Sequence, residues 1–373
     1  MIKKWFVYTF YIFSLGILLR VFLLDFYPDF SVYYSAVKVA LSGGNPYSND
    51  LSLFAPFMYP PQILFIFIPF LYIPYIVAEK LWLFMSFVFL FLSLIFLFKI
   101  NKQKLLTPQS IFLCSLVFLS FPLKFTLGMG QINVMILLFS VLFIYFLHKD
   151  KDYIAGILLG LSISLKLFPV LLLPYLLLIR KWKILLSALT TLITITVLTL
   201  FAFGHEMLLE FWYKVLPALG SPWDGGYYNQ ALSGTITKLT GSPNQLFQFI
   251  VSSILIIISA WVILSKKKKT HSMISMDIGM IITLSLLINN FSWQHHFVWL
   301  LIPFLTIFYY LKKNKYQWHY YVLLGISSFL VSINLRFPSL YPPLIKSHVF
   351  FGAFILWFIN IYLLLKAASN KQL

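Results

Sequence analysis

The sequence predicts an all-α polytopic membrane protein, built as one integral domain over residues 1–373 with about twelve transmembrane helices. Its composition is 61% hydrophobic and only 10% charged, whereas a soluble domain is about 45–50% apolar and about 25% charged. Apolar runs recur along the chain, many of them near the roughly 20 residues that a helix needs to cross the hydrocarbon core. No Pro-, Gly- or Ser-rich linker divides the chain into separate domains.

The candidate spans begin with a run that follows Lys3 and Lys4. This run is too long for a signal-peptide core and lacks a small-residue cleavage site, which predicts a retained signal anchor. Several later spans are short, as is typical of tilted or broken helices around a cavity. The spans are 5–24, 77–98, 111–127, 131–147, 153–165, 167–180, 184–203, 244–264, 276–290, 294–311, 319–335 and 348–366.

The distribution of basic residues predicts the orientation of these spans. About two thirds of the 28 Lys and Arg residues fall in segments on the same side as the N-terminus. Basic loops face the cytoplasm, so we expect a multi-pass protein of the cell membrane with both termini cytoplasmic. The first outer loop is then 25–76, and the second long outer loop is 204–243.

The net charge of +18 does not indicate a nucleic-acid partner. The basic residues form short clusters between apolar runs, such as Lys266–Lys269, which is typical of anchors to anionic membrane lipids. A nucleic-acid site would instead need a contiguous basic face with interleaved aromatic residues.

The segment 59–73 is apolar enough to be read as a further span. A full crossing there would put the basic residues near Lys99 on the outer side and invert the following topology. Pro69 and Pro74 also disfavour a regular long helix. We therefore expect a re-entrant or interfacial element within the first outer loop.

Asp29 is the leading candidate for a catalytic base. A carboxylate held where a membrane helix meets water is costly to place and suited to proton abstraction. The alternative is helix capping, because Asp before Phe30 is a good helix start, and one residue can do both. Asp25 is the rival carboxylate.

Residues 30–41 are predicted to form an amphipathic helix at the membrane surface, with Phe30, Tyr33, Tyr34, Val37 and Leu41 on its apolar face.

Lys166 stands inside an apolar stretch of the chain. A single helix over 153–180 would place this lysine at mid-membrane at a large cost. A break near Pro169 would instead put Lys166 at the mouth of an outer cavity. The alternative is a lysine that snorkels to the lipid headgroups.

His295 and His296 lie in an otherwise apolar run. Placing two adjacent histidines there costs free energy, which suggests that they have a function. Adjacent side chains point apart on a helix, and no HxxxH or carboxylate spacing accompanies them. Contact with a phosphate at the membrane surface fits these residues better than metal binding. The alternative is one interfacial and one buried histidine, each satisfied by its neighbours. No metal or other cofactor is expected.

Two pairs of side-chain amides are candidates for contacts to sugar hydroxyls. Gln131 and Asn133 flank a turn that contains two glycines, and Asn229 and Gln230 precede a short helix in the second long outer loop. Caps and turns use the same side chains, so both interpretations stay open.

Six motifs follow one another along roughly residues 20–310. They are Asp29-Phe30…Tyr34…Gly44-Asn45-Pro46-Tyr47, Tyr59-Pro60-Pro61, Gly130-Gln131-Ile132-Asn133, Gly156…Gly160…Lys166…Pro169, Asn229-Gln230-Ala231-Leu232-Ser233-Gly234 and Ser292-Trp293-Gln294-His295-His296. In these motifs and their order the chain resembles glycosyltransferase family 87. One departure is Asn289-Asn290-Phe291, where the family has Ser-Pro before Ser292-Trp293.

The resemblance implies a GT-C-type bundle that transfers mannose from a polyprenyl-phosphate donor to a glycolipid or glycan acceptor. By this resemblance Asp29 is the general base, and His295, assisted by Lys166, contacts the donor phosphate. The donor-binding set is Lys166, His295, His296, Gln131, Asn133, Asn229, Gln230, Tyr33 and Tyr59.

A transporter or flippase of a lipid-linked or small polar substrate is the alternative function. It predicts an inverted repeat and charges paired at mid-membrane, and neither is visible in the sequence. A non-enzymatic scaffold and a different transferred sugar, such as arabinofuranose, also stay open.

Overall fold

The protein is described here from a computed structural model that covers residues 4–48, 55–219, 225–265 and 269–369. Every regular element in these ranges is helical, and one isolated antiparallel bridge joins Asn229 to Trp293. Within this part of the chain the prediction of an all-α protein is confirmed. The cluster Lys266–Lys269 lies outside the described residues except for Lys269.

The first half of the chain holds ten α-helices that differ widely in length. Short 3₁₀ segments connect several of them, at Arg20–Leu23, Pro61–Ile63, Ile68–Tyr72 and Phe168–Leu171. The α-helices are α1 (Lys4–Leu19), α2 (Pro28–Leu41), α3 (Leu64–Phe67), α4 (Tyr75–Ile100), α5 (Pro108–Leu119), α6 (Phe121–Met129), α7 (Asn133–Leu147), α8 (Asp152–Leu165), α9 (Leu172–Leu178) and α10 (Trp182–Phe203).

The second half continues the bundle after an irregular region. A π-helical turn at Phe211–Val215 and 3₁₀ segments at Gln294–Leu300 and Pro338–Leu340 interrupt it. The α-helices are α11 (His205–Glu210), α12 (Leu216–Ala218), α13 (Leu232–Thr240), α14 (Gln245–Leu264), α15 (His271–Ile288), α16 (Leu301–Lys313), α17 (Trp318–Ser332), α18 (Pro343–Lys346) and α19 (His348–Ser369).

Fewer helices of the described residues are long enough to span a membrane than the twelve spans that the sequence predicts. Six helices of the described residues are long and apolar enough to cross a membrane, or seven if α5 and α6, bent by 57°, form one span. The helices at the other predicted spans are only 7 to 15 residues long. At 1.5 Å per residue such helices are shorter than the roughly 30 Å of the hydrocarbon core. A multi-pass membrane protein is therefore supported, and the count of twelve is not confirmed.

The segment after Tyr59 is irregular. It consists of Pro61–Ile63, α3 and Ile68–Tyr72, which together make a short apolar stretch and no long helix. This agrees with the expectation that the prolines prevent a full-length helix there.

Helix α2 differs from its prediction in two respects. It begins at Pro28 with Tyr27 as the N-cap, so Asp29 lies in the first turn and the capping role is wrong. Proline is favoured at the first helical position, since its fixed φ fits there and it has no N–H to satisfy. The helix is also packed into the protein: Phe30 and Tyr33 are fully buried, while Leu41 is 52% exposed.

The packing of α8 against α10 depends on two glycines in one helical row. A Cβ at Gly156 would lie 2.5 Å from the carbonyl oxygen of Ile184, and one at Gly160 would lie 2.7 Å from the Cβ of Thr191. Small residues four positions apart allow helix backbones to approach closely in membranes. This contact fixes the direction in which α8 delivers its last residue, Leu165.

The helix ends gather in two places. The ends of α7 and α15 that carry His148 and Ser275 meet through a hydrogen bond of 3.2 Å, and Lys312 at the end of α16 bonds Gln109 at the start of α5. We refer to this group of turns (101–107, 148–151, 179–181 and 312–317) as the basic end. The opposite ends of α7, α8 and α15 surround a cavity, and we refer to that group as the cavity end.

Candidate active site

A cavity of about 840 Å³ opens at the cavity end. Most of its lining side chains are apolar or aromatic, and a few polar groups converge on it. This combination is typical of a ligand site. The predicted site residues that line it are Asp29, Tyr59, Gln131, Lys166, His295 and His296.

Asp29 is brought to the cavity by the start of α2. Lys80 on α4 holds the preceding segment, because its Nζ donates to the carbonyl oxygen of Leu24 at 2.6 Å and to the hydroxyl of Tyr27 at 3.1 Å. One carboxylate oxygen of Asp29, Oδ1, accepts a bond from the Tyr59 hydroxyl at 3.4 Å. The other, Oδ2, is buried and has no hydrogen-bond partner among the described residues.

Burial sets the proton affinity of Asp29. It raises the pKa of this carboxyl to about 6, and the nearby Gln131 amide, the Lys166 amine and the Tyr59 hydroxyl oppose the rise. At neutral pH most Asp29 side chains are therefore deprotonated, yet more basic than an ordinary aspartate. Such a group is suited to general-base catalysis.

Tyr59 connects the carboxylate to the amide of the α6–α7 turn. Its hydroxyl accepts from Gln131 Nε2 at 2.8 Å while it donates to Asp29. Its backbone carbonyl accepts from the Tyr47 hydroxyl at 2.7 Å, and the Tyr47 N–H is held by the Asn45 side chain at 2.9 Å. The Asn45-Pro46-Tyr47 motif thus supports Tyr59 and contributes no lining residue among those described.

The turn between α6 and α7 places Gln131. Gly130 ends α6 with a φ of +70°, and a Cβ there would lie 2.9 Å from the Cβ of Phe30. Both the conformation and the space therefore require glycine. The Trp82 indole donates to the Gly130 carbonyl at 2.8 Å, and Tyr33 donates to Gln131 Oε1 at 3.1 Å. Tyr33 is itself buried behind Gln131, outside the described cavity lining.

Lys166 follows a break in the helix, as the sequence predicts. Helix α8 ends at Leu165, Lys166 is extended (φ −159°, ψ 127°), and a 3₁₀ turn begins at Phe168. Its side chain is only 8% exposed, so the snorkelling alternative is wrong. Its Nζ donates to Asn133 Oδ1 at 3.0 Å and lies 5.5 Å from the centre of the Tyr59 ring.

The contacts of His296 assign a protonation state to Lys166. His296 Nδ1 accepts from the Trp293 N–H at 3.1 Å, so in a neutral imidazole the proton lies on Nε2. That Nε2 lies 2.8 Å from Lys166 Nζ. Two donors cannot bond each other, so Nε2–H donates to a neutral Lys166 amine. Burial, opposed by Asp29, lowers the pKa of Lys166 to about 7, which agrees with this assignment.

His295 is also buried, 4% exposed, so the alternative of one interfacial and one buried histidine is wrong. Its ring stands perpendicular to that of His296 at 4.4 Å, within a 3₁₀ helix where the pair can share one cavity. Its Nδ1 has no hydrogen-bond partner among the described residues. The Asn133 amide donates weakly, at 3.4 Å, to the His295 carbonyl, and Asn133 is a buried link between the histidines and Lys166.

Asn229 and Gln230 bond to the backbone and lie outside the described cavity lining. Asn229 Oδ1 accepts from the Ser292 N–H at 3.2 Å. Gln230 Nε2 donates to the Lys346 carbonyl at 2.7 Å. A Cβ at Gly234 would lie 2.6 Å from the Asn229 side chain. These contacts hold the strand-like segment before the histidines, so a sugar contact by Asn229 or Gln230 stays a prediction.

The Asn289-Asn290 departure has a local structural role. The Asn290 carbonyl accepts from the Ser233 hydroxyl at 2.6 Å and from Asn229 Nδ2 at 3.3 Å. Asn289, Asn290 and Phe291 all line the cavity. Ser233 on α13 and Asn229 just before this helix thus anchor this backbone where the family pattern has a proline.

Several neighbours of the histidines are not predicted by the sequence. Trp299 stacks on His296 at 5.8 Å and 13°, and its indole donates to the Asn133 carbonyl at 2.9 Å. The Thr126 hydroxyl donates to the His295 carbonyl at 2.9 Å. The spacing of three between His296 and Trp299 fits a 3₁₀ turn, but a sequence reading that assumes an α-helix does not reveal it. Nothing in the sequence points to Thr126.

No group of three or more His, Cys, Asp or Glu side chains is arranged to hold a metal ion in the part of the chain that the structure describes. The expectation that the chemistry needs no metal stays a prediction.

Comparisons with known proteins identify a family that the chain matches. The family model of Glycosyltransferase family 87 matches residues 57–289, a range that includes Tyr59, Gln131, Asn133 and Lys166. Asp29 and the two histidines lie outside the matched range.

Two curated relatives come from Mycobacterium tuberculosis. The chain is 26% identical over 196 residues, 50% of its length and 43% of the relative's, to a polyprenol-phosphate-mannose-dependent alpha-(1-2)-phosphatidylinositol mannoside mannosyltransferase of strain ATCC 25618 / H37Rv. It is 23% identical over 260 residues, 66% of its length and 56% of the relative's, to a polyprenol-phosphate-mannose-dependent alpha-(1-2)-phosphatidylinositol pentamannoside mannosyltransferase of strain CDC 1551 / Oshkosh. The chain thus spans about half the length of the curated relatives it matches. Because the family model covers more than half of the chain, the chain belongs to glycosyltransferase family 87.

Proposed function

We propose that the chain transfers an α-mannosyl group from a polyprenyl-phosphate mannose donor to an acceptor hydroxyl at the outer membrane face, with inversion at the anomeric carbon. Family membership and the donor named in both relatives support this choice of donor. The observation that carries it is the environment of Tyr59. Its hydroxyl bonds Asp29 and its ring lies 5.5 Å from Lys166 Nζ, so a carboxylate and an amine open onto one cavity.

The donor phosphate would bind between Lys166 and His296. In the structure the two nitrogens contact each other at 2.8 Å. A phosphate oxygen can accept from both His296 Nε2–H and the Lys166 amine. Its negative charge also favours protonation of Lys166, so donor binding would be accompanied by uptake of one proton. The Asn133 side chain keeps the amine in position at 3.0 Å.

The acceptor hydroxyl would be activated by Asp29. Its oxygen bonds to the anomeric carbon as the bond from that carbon to the phosphate oxygen breaks. The acceptor proton passes to the carboxylate, for which Oδ2 has no competing hydrogen bond among the described residues. The polyprenyl phosphate leaves with the bonding electron pair, and the charge of Lys166 stabilises it. One displacement converts a β-linked donor into an α-mannoside.

The apolar part of the cavity suits the first isoprene units of the donor. Its wall includes Val170, Leu171, Leu216 and Ile288, on segments distinct from those that carry Asp29 and His296. A lipid chain there and a sugar acceptor near the aromatic side chains Tyr228 and Trp293 would approach the polar groups from different sides. The relatives' names support a glycolipid or glycan acceptor.

Sugar transfer in proteoliposomes tests this proposal. Proteoliposomes containing wild-type, Asp29→Asn or Asp25→Asn protein would receive radiolabelled polyprenyl-phosphate mannose and an extract of membrane glycolipids. We expect Asp29→Asn to lose about 10²- to 10⁴-fold in rate. Asp25 is exposed and outside the described cavity lining, so Asp25→Asn should retain the wild-type rate.

Three results would change the proposal in different ways. Equal transfer by all three proteins would discard Asp29 as the base. Loss of transfer in Asp25→Asn alone would mean that Asp25, and not Asp29, is the general base. Donor binding without transfer by the wild type would leave the donor assignment standing and show that the acceptor in the extract is wrong.

A further inference from the structure

Three aromatic side chains from three different segments meet in the cavity. Phe125 lies on α6, Tyr228 lies before α13, and Trp293 precedes the two histidines; all three line the cavity. The ring centre of Tyr228 lies 5.1 Å from that of Phe125 and 5.6 Å from that of Trp293, and those of Phe125 and Trp293 are 6.2 Å apart. Each ring thus contacts the other two. We refer to these three rings as the aromatic platform.

Part of the surface of the aromatic platform is exposed. Tyr228 is 37% exposed, and Phe125 and Trp293 are partly exposed. Aromatic side chains that serve packing, such as Phe30 and Tyr33, are fully buried. Because the three rings also line the cavity, they offer an apolar surface to a molecule that binds there.

His295 adds a polar group beside the aromatic platform. Its ring centre lies 5.2 Å from that of Phe125 and 5.6 Å from that of Trp293. It lines the cavity, and its buried Nδ1 has no hydrogen-bond partner among the described residues. The proposed phosphate position, between Lys166 and His296, leaves this nitrogen free to bond another part of the substrates.

A pyranose ring is a ligand that fits this combination of groups. It presents apolar C–H bonds on its faces and hydroxyl groups around its rim. The face of an aromatic ring carries partial negative charge, which attracts the C–H hydrogens, and a histidine nitrogen can donate to or accept from a hydroxyl group. A serine or threonine of a protein acceptor, or a simple lipid alcohol, has no such face.

The aromatic platform is connected to the phosphate position through the two histidines. His296 Nε2 lies 2.8 Å from Lys166 Nζ, the ring centres of His296 and His295 are 4.4 Å apart, and the Phe125 ring follows at 5.2 Å from that of His295. A sugar ring stacked on Phe125 therefore does not take the place of the phosphate.

We propose that the aromatic platform and His295 bind the pyranose ring that carries the acceptor hydroxyl, so that the acceptor is the sugar end of a glycan or glycolipid. The ring stacks on Tyr228 and Phe125, and one of its hydroxyl groups bonds His295 Nδ1. This inference rests on the proposed function, which supplies the donor and its position at Lys166. It assigns His295 to the acceptor, whereas the resemblance in sequence assigns it to the donor phosphate.

Saturation-transfer NMR on the full-length protein in lipid nanodiscs tests this proposal without requiring sugar transfer. Methyl α-D-mannopyranoside is the probe, and mannitol, an open-chain polyol, is the control compound. The variants are Tyr228→Leu, Phe125→Leu and Tyr228→Phe, the last of which keeps the aromatic ring. Phe121→Leu is the matched control, because Phe121 stacks on Phe125 at 5.2 Å from one turn away on α6 but lies outside the described lining.

We expect the wild type and Tyr228→Phe to bind the mannoside and not mannitol. Tyr228→Leu and Phe125→Leu should bind the mannoside about three- to tenfold more weakly, because each loses one aromatic face. Phe121→Leu should bind it as the wild type does. Thermal unfolding should show that all variants are folded.

A further arm distinguishes the acceptor ring from the donor sugar. Asp29→Asn protein loaded with polyprenyl-phosphate mannose should still bind the mannoside, since the aromatic platform stays free when the donor is bound. Displacement of the mannoside by the donor would assign the platform to the donor sugar and would overturn the proposal.

Other results would overturn it as well. Absence of mannoside binding in the wild type, or undiminished binding in Tyr228→Leu, would mean that the aromatic platform holds no sugar. Equal loss in Phe121→Leu would mean that packing on α6, and not ring contact, sets the affinity. Transfer is measured separately, so a protein that binds the mannoside through the platform but transfers no mannose would contradict the proposed function alone.

Discussion

The cavity end and the basic end of this bundle make their sharp turns with different residues. In the described chain every glycine with positive φ lies in the segments around the cavity end or the loops next to it, at Gly43, Gly130, Gly204, Gly225 and Gly241. The non-glycine residues with positive φ lie in the turns of the basic end, at Lys102, Asp150, Arg180 and Lys315.

This difference reflects what each end must do. Lys102, Arg180 and Lys315 are exposed and follow helix C-termini, where a cation is favourable and its side chain has room. The left-handed conformation costs a non-glycine residue about 1–2 kcal/mol, and the charge offsets part of this. At Gly130 no side chain fits, because α2 packs directly on the turn. The basic end tolerates strain, whereas the Gly130 turn at the cavity end requires close approach. At Gly43, Gly204 and Gly241 a Cβ would meet open space, so glycine there serves only the positive φ.

Among the substitutions that compare the two ends, the largest effect should come from removing the cavity amine. Lys166→Met should lower kcat/KM about 10²- to 10³-fold, because the leaving phosphate would lose its positive charge. Lys124→Met is the matched control, since Lys124 is a half-buried lysine near a helix end, as Lys166 is a buried one, but lies outside the described cavity lining. Radiolabelled transfer with a donor titration measures both. Equal losses would mean that the lysines serve folding or insertion.

Two substitutions at residues with positive φ test whether the two ends differ in their tolerance of backbone strain. Gly130→Ala combines a φ of +70° with a Cβ 2.9 Å from that of Phe30, so we expect a loss of about 1–3 kcal/mol of stability and displacement of Asp29. Lys102→Gly removes strain at a φ of 55° and should change stability by less than about 1 kcal/mol. Unfolding midpoints in detergent measure both. A larger loss in Lys102→Gly would contradict the comparison.

The sequence revealed the parts of the site that depend on local chemistry. The apolar run that contains Lys166 and Pro169 predicted the break that the structure has, since burial of an amine in a continuous span is costly. The helical class followed from composition alone. The number of spans could not be predicted in this way, because a run of about 15 apolar residues has the same composition whether it crosses the membrane or packs inside the protein.

The network that joins these residues could not be predicted. Tyr59 bonds Gln131 across 72 positions, and Lys166 contacts His296 across 130. Such contacts depend on how helices pack. Asn229 belongs to the same network: its side chain accepts from the backbone N–H groups of Ala231 and Ser292, contacts that the polar motif does not reveal, and its contact with a sugar stays a prediction.

The pH profile tests the two cavity charges. Asp29 must be deprotonated to act as base, so kcat/KM should fall about tenfold per unit below pH 6, its pKa being about 6. Lys166 must be protonated to bind phosphate, so kcat/KM should also fall above pH 7, its pKa being about 7. Bound phosphate raises that pKa, so the alkaline limb of the kcat profile should lie at a higher pH than that of the kcat/KM profile.

The titratable groups that face Lys166 are Asp29, Tyr59, His295 and His296. Lys166→Met should remove the alkaline limb while the acidic limb stays. A wild-type profile that is flat from pH 5 to 8, or an alkaline limb that persists in Lys166→Met, would contradict the assignment of Lys166 as the titrating cation.

The smallest expected effect tests whether the Tyr59 hydroxyl stabilises the charge of Asp29 or Tyr59 only holds the loop in position. Tyr59→Phe removes the hydroxyl that donates to Asp29 at 3.4 Å. That bond favours the charged carboxylate, so its loss should raise the pKa of Asp29 and move the acidic limb upward by about half a unit, with a loss of a few-fold in rate at pH 7. Tyr47→Phe removes only the bond to the Tyr59 carbonyl, at 2.7 Å, and should lower the rate without moving the limb. Matching shifts in both variants would mean that Tyr59 acts only by holding the loop, because a packing defect changes the pKa of Asp29 through burial whichever hydroxyl is lost.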